Sequence, residues 1–516
     1  MTIGRRILFA VSVSWLSRLV VIGLGLVLIP ILFRHMGKEE LGLWFLLGQS
    51  GAFLGLMDMG VSPTLTRRIA FAKGGHGTDV NAEMSKIAQL EIADLIATGK
   101  LIYRYLTAGV FLIAWVTGFL FIGQIDLVQL DHRTIWIAWT VLCVSHALGV
   151  WAAMWSCLLQ GTGHVGWDGL IGIAVQVVTL IAQIAAVLLG GGLITLAAIA
   201  AIGAITTRYA VLILIRSREP DLFRQKGHWN HDAFRSMVKP ALKAWATGLG
   251  AFLILKTDQY FIAYLIGVDN IPSYQATLQL ISNLMMLSLA LAISSQVFIS
   301  QLWQARQLKQ IHRIVQRNLR FALIVMACGS ACMLMVGEEL MSLWLGPGHF
   351  IGYPILIVFC VMLFLEVQHS AVASASRSTE DEAFVFCALS AGVLNLVLTW
   401  WLIKPYGLMG VALGTMLAQI LTNNWYAVYR GLWRLQLPLR QYFYSVLLPV
   451  LMIFALAVFT AAIGKALLGN DAHAAWVLAV GIAITGSVCA GALWFLVLEA
   501  TQRQRLWRRI SILLKR

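Results

Sequence analysis

Long apolar runs alternate with short polar breaks along the whole chain. The runs fall near 7–33, 41–62, 106–123, 135–159, 169–190, 193–215, 241–267, 275–301, 319–337, 353–376, 383–403, 408–429, 441–464 and 475–498. Most hold about 20 residues, enough to cross roughly 30 Å of hydrocarbon as a helix. None shows the ~10-residue alternation of a barrel strand. The pattern predicts an all-α polytopic membrane protein with about fourteen transmembrane helices. Only the Gly190-Gly191-Gly192 turn divides the fifth span from the sixth.

Two stretches do not span. The segment from Pro63 to Tyr105 is the longest loop, and Met84, Ile87, Leu95 and Ile96 predict an amphipathic helix lying along the membrane. In the tail, Leu506, Ile510, Leu513 and Leu514 oppose Arg503, Arg505, Arg509 and Lys515. That spacing fits a basic surface helix, and equally the ordinary positive flank of the last span.

Composition supports the membrane reading: 59% of 516 residues are hydrophobic and 12% charged, against about 25% charged in soluble domains. The N-terminus carries the Arg5-Arg6 pair of a signal peptide, but its apolar run continues to Phe33 without a small-residue cleavage site. It reads as the first span. The seven cysteines lie in or beside apolar runs without ligand-like spacing, as small packing residues do. No metal site is expected.

Charge sets the orientation. Of the 38 Lys and Arg, 30 fall on the side of the N-terminus, five on the other side and three within spans. The positive-inside rule then places both termini in the cytoplasm. The net charge of +15 is a topology signal and an attraction to anionic membrane lipids, with no indication of nucleic acid.

Catalytic signatures are missing. The sequence has no nucleotide-binding G-x-x-x-x-G-K-[ST] loop and no H-E-x-x-H metal pair. "GTGHVG" (Gly161 to Gly166) matches G-x-G-x-x-G, yet it joins two spans without a preceding strand and reads as a tight turn. The chain is read as a non-enzyme without a bound cofactor.

Ionisable groups inside spans are costly and mark function or buried pairing. They are Arg18, Asp58, His146, Arg208, Lys256, Asp258, Glu366 and His369. Arg18 sits roughly 16 Å into its span, too deep to snorkel easily, whereas Arg208 can reach the interface. Asp58 lies close to Arg67 and Arg68, which suits an ion pair as well as a transport role. On a continuous helix, Lys256 and Asp258 point about 200° apart. The Lys256 face, with Trp245, Phe252, Gln259, Tyr260 and Tyr264, suits a wet cavity; the Asp258 face is apolar. Cations facing such a cavity favour an anionic substrate. The expected substrate-binding residues are Arg18, Lys256, Trp15, Gln259, Tyr260 and Asn283. Asp58, Asp258, Glu366, His146 and His369 are expected to be coupling or structural groups.

"GKEELGLW" (Gly37 to Trp44) and "GVDNIPSY" (Gly267 to Tyr274) match in outline at a separation of 230 positions. Each joins the first two spans of a half, as in a duplicated transporter with its site between the halves. The expected division is an N-terminal lobe at 1–215, a cytoplasmic linker at 216–240, a C-terminal lobe at 241–430, and two extra spans with a basic tail at 431–516.

"FLGLMDMGVSPTLTRRIA" (Phe53 to Ala70), "KTDQYFIAYLIGVDNIPSYQATLQL" (Lys256 to Leu280), "GEELMSLWLGPGHF" (Gly337 to Phe350) and "KPYGLMGVALGTMLA" (Lys404 to Ala418) resemble the bacterial polysaccharide flippases of the multidrug/oligosaccharidyl-lipid/polysaccharide exporter superfamily, O-antigen and exopolysaccharide transporters among them. The resemblance implies two six-helix lobes around a central cavity plus two extra C-terminal helices, with spans one and seven lining the cavity. It implies alternating-access translocation of undecaprenyl-diphosphate-linked sugar units across the bacterial inner membrane, in surface polysaccharide biosynthesis. A polysaccharide polymerase is the implied protein partner. Coupling is left between a proton and a sodium gradient. The runner-up is a cation-coupled multidrug exporter of the same superfamily. A membrane-embedded glycan polymerase or ligase comes third, because it calls for a long external loop that this chain lacks.

Overall fold

The computed structural model describes residues 3–56, 58–74, 85–125, 130–296, 299, 302–303, 306–379, 381, 383–468, 473–498 and 503–504. Helices dominate, and no strand occurs among the described residues. In chain order they are α1 (Ile3–His35), α2 (Lys38–Leu56), α3 (Val61–Gly74), α4 (Lys86–Ile122), α5 (His132–Gly161), α6 (Val165–Leu188), α7 (Leu193–Arg218), α8 (His231–Leu255), α9 (Asp258–Leu265) and α10 (Ile271–Ser294). Then follow α11 (Leu308–Leu345), α12 (Tyr353–Arg377), α13 (Val385–Leu421), α14 (Asn423–Arg434), α15 (Leu448–Leu468) and α16 (Ala474–Leu496).

Eleven helical stretches among the described residues are long and apolar enough to cross a membrane. One of them, Val385–Arg434, holds two spans, because the backbone reverses at Gly407, where φ is +54°. After the reversal Gly414 stands against the Thr399 backbone, so the two arms meet on small residues, as membrane helices do. With α1 and α2 added, the expected fourteen spans are accommodated.

The chain forms two compact units, Met1–Pro272 with Ala388–Leu396, and Ser273–Cys387 with Val397–Arg516. In the first, α3, α4, α5 and α7 bury one cluster that includes Leu65, Ile92, Leu95, Tyr103, Leu158 and Ile215. Leu95 and Ile96 thus pack inward on the 37-residue helix α4. The expected separate surface helix is the first half of a continuous span, because packing on α3 and α5 extends it. Ile87 is exposed, and Met84 lies outside the described residues.

The connection after α7 is tied down. The His228 N–H donates to Asp94 (2.8 Å) and the Asn230 N–H to Thr98 Oγ1 (3.0 Å), while the Asn230 side chain caps α8 at Ala233. "GTGHVG" is the α5–α6 turn, with Gly163 at φ +90°. There Glu219 meets His164 (3.2 Å) and Lys73 (3.4 Å).

In the second unit, α11 packs against α12, α15 and α16. Arg320 of α11 donates to the carbonyls of Ser445 (2.5 Å) and Leu496 (3.1 Å), fixing the last two spans onto it. Residues 505–516, most of the basic tail, lie outside the described residues.

Candidate substrate and coupling sites

Span seven is interrupted. Helix α8 ends at Leu255, and α9 begins at Asp258, leaving Lys256 and Thr257 between them. Broken helices at membrane depth survive only where protein groups take up the freed backbone. Two side chains do so here. Thr257 Oγ1 donates to the Leu253 carbonyl at 2.8 Å, the back-bonding that bends a helix. Asn395 Nδ2 donates to the same carbonyl at 2.8 Å and to that of Ile254 at 3.3 Å. The Asn395 amide also reaches Thr257 Oγ1 at 3.3 Å.

Two glycines let Asn395 come so close. A Cβ on Gly392 would stand 2.7 Å from Leu253 Cβ, and one on Gly250 would stand 2.5 Å from the Ala388 carbonyl carbon. With no side chain at either site, α8 and α13 approach backbone to backbone.

The break changes the helical-wheel expectation. Lys256 and Asp258 do not ride on one rigid helix, so their 200° separation does not apply. Lys256 is half-buried and close enough to interact electrostatically with Asp258. Asp258 and Gln259 are buried. Tyr260 packs edge-to-face on Phe121, with ring centroids 5.5 Å apart. It lines an apolar pocket of about 330 Å³ together with Leu46, Trp139 and Phe252. Trp15 and Arg18 lie on α1, but their side chains are outside the described residues.

Asp58 serves the turn between α2 and α3. Its carboxylate accepts from the Ser62 N–H (2.9 Å), the Ser62 hydroxyl (2.8 Å) and the Tyr103 hydroxyl (3.2 Å). Arg68, a candidate partner for it in the sequence, donates to the Ser236 carbonyl instead, at 3.3 Å. His146 Nε2 is buried on α5 without a hydrogen-bond partner among the described residues.

The second unit gathers Glu366 and His369 on one face of α12, three residues apart as a helix requires. Both are buried, with His369 Nε2 3.5 Å from the Glu366 carboxylate. The imidazole also meets Asn424 Oδ1 (2.9 Å) and Asn423 Nδ2 (3.2 Å). The two asparagines open α14 directly after a second break, at Thr422 (φ −124°, ψ −68°). Thr422 Oγ1 donates to the Ala418 carbonyl at 2.6 Å, repeating the Thr257 arrangement. One turn earlier, both amide atoms of buried Gln419 have no hydrogen-bond partner among the described residues. Asn283 belongs to a different group, an α10 ladder in which Gln279 donates to it at 2.9 Å.

Gly42 of "GKEELGLW" lies against the Val268 carbonyl of "GVDNIPSY", so close that a Cβ there would run into it.

The MatE family model matches residues 248–401, which include the α8–α9 break, the Glu366–His369 pair and Asn395. The long apolar helices are those of a multi-pass membrane protein. A Shigella flexneri protein provisionally named an O-antigen transporter is 21% identical over 399 residues, covering 76% of this chain and 89% of that protein. A Salmonella typhi protein of the same name is 18% identical over 427 residues, 82% and 95% of the two chains. Among solved structures, the lipid II flippase MurJ in an inward closed conformation superposes with a TM-score of 0.66 at 15% identity, covering 95% of this chain and all of that one. An inward-facing multidrug-resistance MATE transporter gives 0.65 at 11% identity, covering 80% and 94%. The fold is thus common to a lipid II flippase and a multidrug-resistance transporter.

Asn395, Thr257, Asn424 and Tyr103 carry much of this chemistry without having stood out as site residues. For Asn395 and Thr257 the signal lay in the small residues beside them, since Gly250 and Gly392 mark where α8 and α13 touch.

Proposed function

We propose that the protein is a flippase that moves undecaprenyl-diphosphate-linked oligosaccharide units across the bacterial inner membrane by alternating access, in surface polysaccharide biosynthesis. The observation that carries this reading is the interrupted span with a cation at the break: Lys256, half-buried between α8 and α9. Discontinuous spans place charge and backbone dipoles at a transport site. A cation there favours the diphosphate of a lipid-linked sugar. Arg18, Trp15, Gln259 and Tyr260 complete the proposed substrate set of the first unit, Asn283 is a separate proposed contact in the second, and the names of the O-antigen transporters and of MurJ agree with an anionic lipid-linked substrate.

Glu366 and His369 are the proposed coupling pair. They are buried, in mutual contact, and next to the break at Thr422. Asp58, Asp258 and His146 take structural or secondary coupling roles. Both termini face the cytoplasm in this reading, and the chain is not itself an enzyme.

Deleting the gene and extracting lipid-linked sugars tests the proposal. A complete oligosaccharide unit on undecaprenyl diphosphate should accumulate at the cytoplasmic leaflet. Drug hypersensitivity without such accumulation would instead assign the protein to the multidrug exporters.

A further inference from the structure

On the side of the first unit formed by α4, α5 and α7, a pocket of about 470 Å³ is lined by Lys100, Tyr103, Arg104, Thr107, Trp151, Met154, Trp155 and Arg208. Three of these are cations and none is an acid. The nearest carboxylate the structure ties to this wall is Asp58, behind Tyr103, and its oxygens are taken up by Ser62 and Tyr103.

The cations are held by aromatic faces rather than by counter-charges. Arg208 stacks on the Trp151 ring at 2.8 Å from its centroid and donates to the Trp151 carbonyl at 3.1 Å. Lys100 lies 5.5 Å from the Trp155 ring centroid. Arg104 has no ion pair or hydrogen bond among the described residues, and the buried Thr107 hydroxyl has no partner among them. Like charges gathered in one pocket repel unless an anion joins them.

Depth narrows the choice of anion. Along helices rising 1.5 Å per residue, Arg104 is roughly 27 Å from the outer end of α4, Trp155 roughly 35 Å from the start of α5, and Arg208 roughly 23 Å from the start of α7. The pocket therefore sits at the level where hydrocarbon meets headgroups, on the side where α7 ends in Arg216 and Arg218. Tryptophan prefers that level. Deeper along the same helices lie the partly exposed Phe111, Val144 and Ile205, a surface for acyl chains.

We infer that this pocket is a binding site for an anionic phospholipid, its phosphate held by Lys100, Arg104 and Arg208. Basic pockets between spans at the headgroup level recognise such lipids. The site is separate from the α8–α9 break and stands whether the transported molecule is a lipid-linked sugar or a drug.

Native mass spectrometry of the full chain, with added phosphatidylglycerol or phosphatidylcholine, tests it. Each cation near a membrane surface is worth about a fivefold factor in binding an anionic lipid. Lys100→Gln with Arg104→Gln, both at exposed positions, should weaken phosphatidylglycerol binding about 25-fold and leave phosphatidylcholine binding unchanged. The control pair Lys239→Gln with Lys243→Gln, exposed on α8, should change neither. Adding Arg208→Gln should weaken phosphatidylglycerol further, and the double variant decides the matter should the triple fail to fold. Unchanged phosphatidylglycerol binding in the double variant, or an equal loss with the control pair, would overturn the site. Displacement of the lipid by equimolar glycerol 3-phosphate would overturn the lipid assignment in favour of a free phosphate ligand.

Discussion

The side-chain amide of Asn395 donates to the main-chain carbonyl of Leu253 at 2.8 Å, where α8 gives up its helical hydrogen bonding. Asn395 is fully buried, so no solvent competes for that carbonyl. Replacing it by leucine leaves the Leu253 and Ile254 carbonyls short of a donor. A lost buried interhelical bond of this kind costs about 1–2 kcal/mol. Asn395→Leu should unfold at lower temperature in detergent and transport less, while Asn395→Gln should retain less than half the loss if its amide reaches the same carbonyls. Thermal unfolding of the purified variants measures both.

Backbone contact through glycine should be sharper still. A side chain on Gly42 runs into the Val268 carbonyl, and one on Gly392 comes 2.7 Å from Leu253 Cβ. Neither a carbonyl nor a Cβ can give way as the end of a flexible side chain does. Gly42→Ala and Gly392→Val should each reduce folded protein in membranes several-fold, whereas Gly23→Ala and Gly25→Ala, with nothing within 4 Å, should not. Quantitative blotting of membrane fractions separates the two classes.

Acid should loosen the first unit at Glu219. Burial alone would raise its carboxyl, but the His164 hydrogen bond and the Lys73 charge outweigh burial and hold it below the usual range. Asp381 follows the same pattern, with burial overcome by the hydrogen bonds from Arg430, at 3.0 Å on each oxygen, and from Ser376. A depressed carboxyl stabilises the fold above its unfolded pKa of about 4 and loses that contribution as pH falls through the folded value. Unfolding temperature should drop below about pH 4.5, and the drop should be smaller in Glu219→Gln and Asp381→Asn, which are already weakened at neutral pH. Melting curves between pH 7 and pH 3 check the sign.

Coupling should run through α12. Glu366→Gln keeps the hydrogen bond from Ser370, now 2.9 Å, but removes the charge beside His369. Transport by this variant should lose its dependence on the ion gradient while protein abundance stays near that of the parent. Uptake with the proton or sodium gradient collapsed in turn distinguishes the driving ion.

The sequence was most legible where physics is one-dimensional. Span length needs only counting, and the helix count follows from it. Glu366 and His369 stood out singly as charges within a span, and their contact is a property of the folded helix, where residues three apart face one way. The wheel treated Lys256 and Asp258 as one continuous helix, whereas the span is interrupted there, and the interruption is stabilised by Asn395, 142 positions further on from Leu253. No local pattern encodes that bond. Likewise α4 extended beyond its apolar run, since Ile92 and Leu95 are held by α3 and α5 rather than by a membrane surface.

The central claim concerns an anionic lipid-linked substrate met by Lys256 at the broken span. Its most direct measurement is translocation in proteoliposomes: purified protein, fluorescently tagged undecaprenyl-diphosphate oligosaccharide, and a membrane-impermeant quencher to report the leaflet. The parent protein should move the lipid across the bilayer, and Lys256→Ala should slow movement at least tenfold at equal protein density, with Lys256→Arg recovering much of the rate. Equal rates for the parent and Lys256→Ala, or no movement by the parent, would contradict the account.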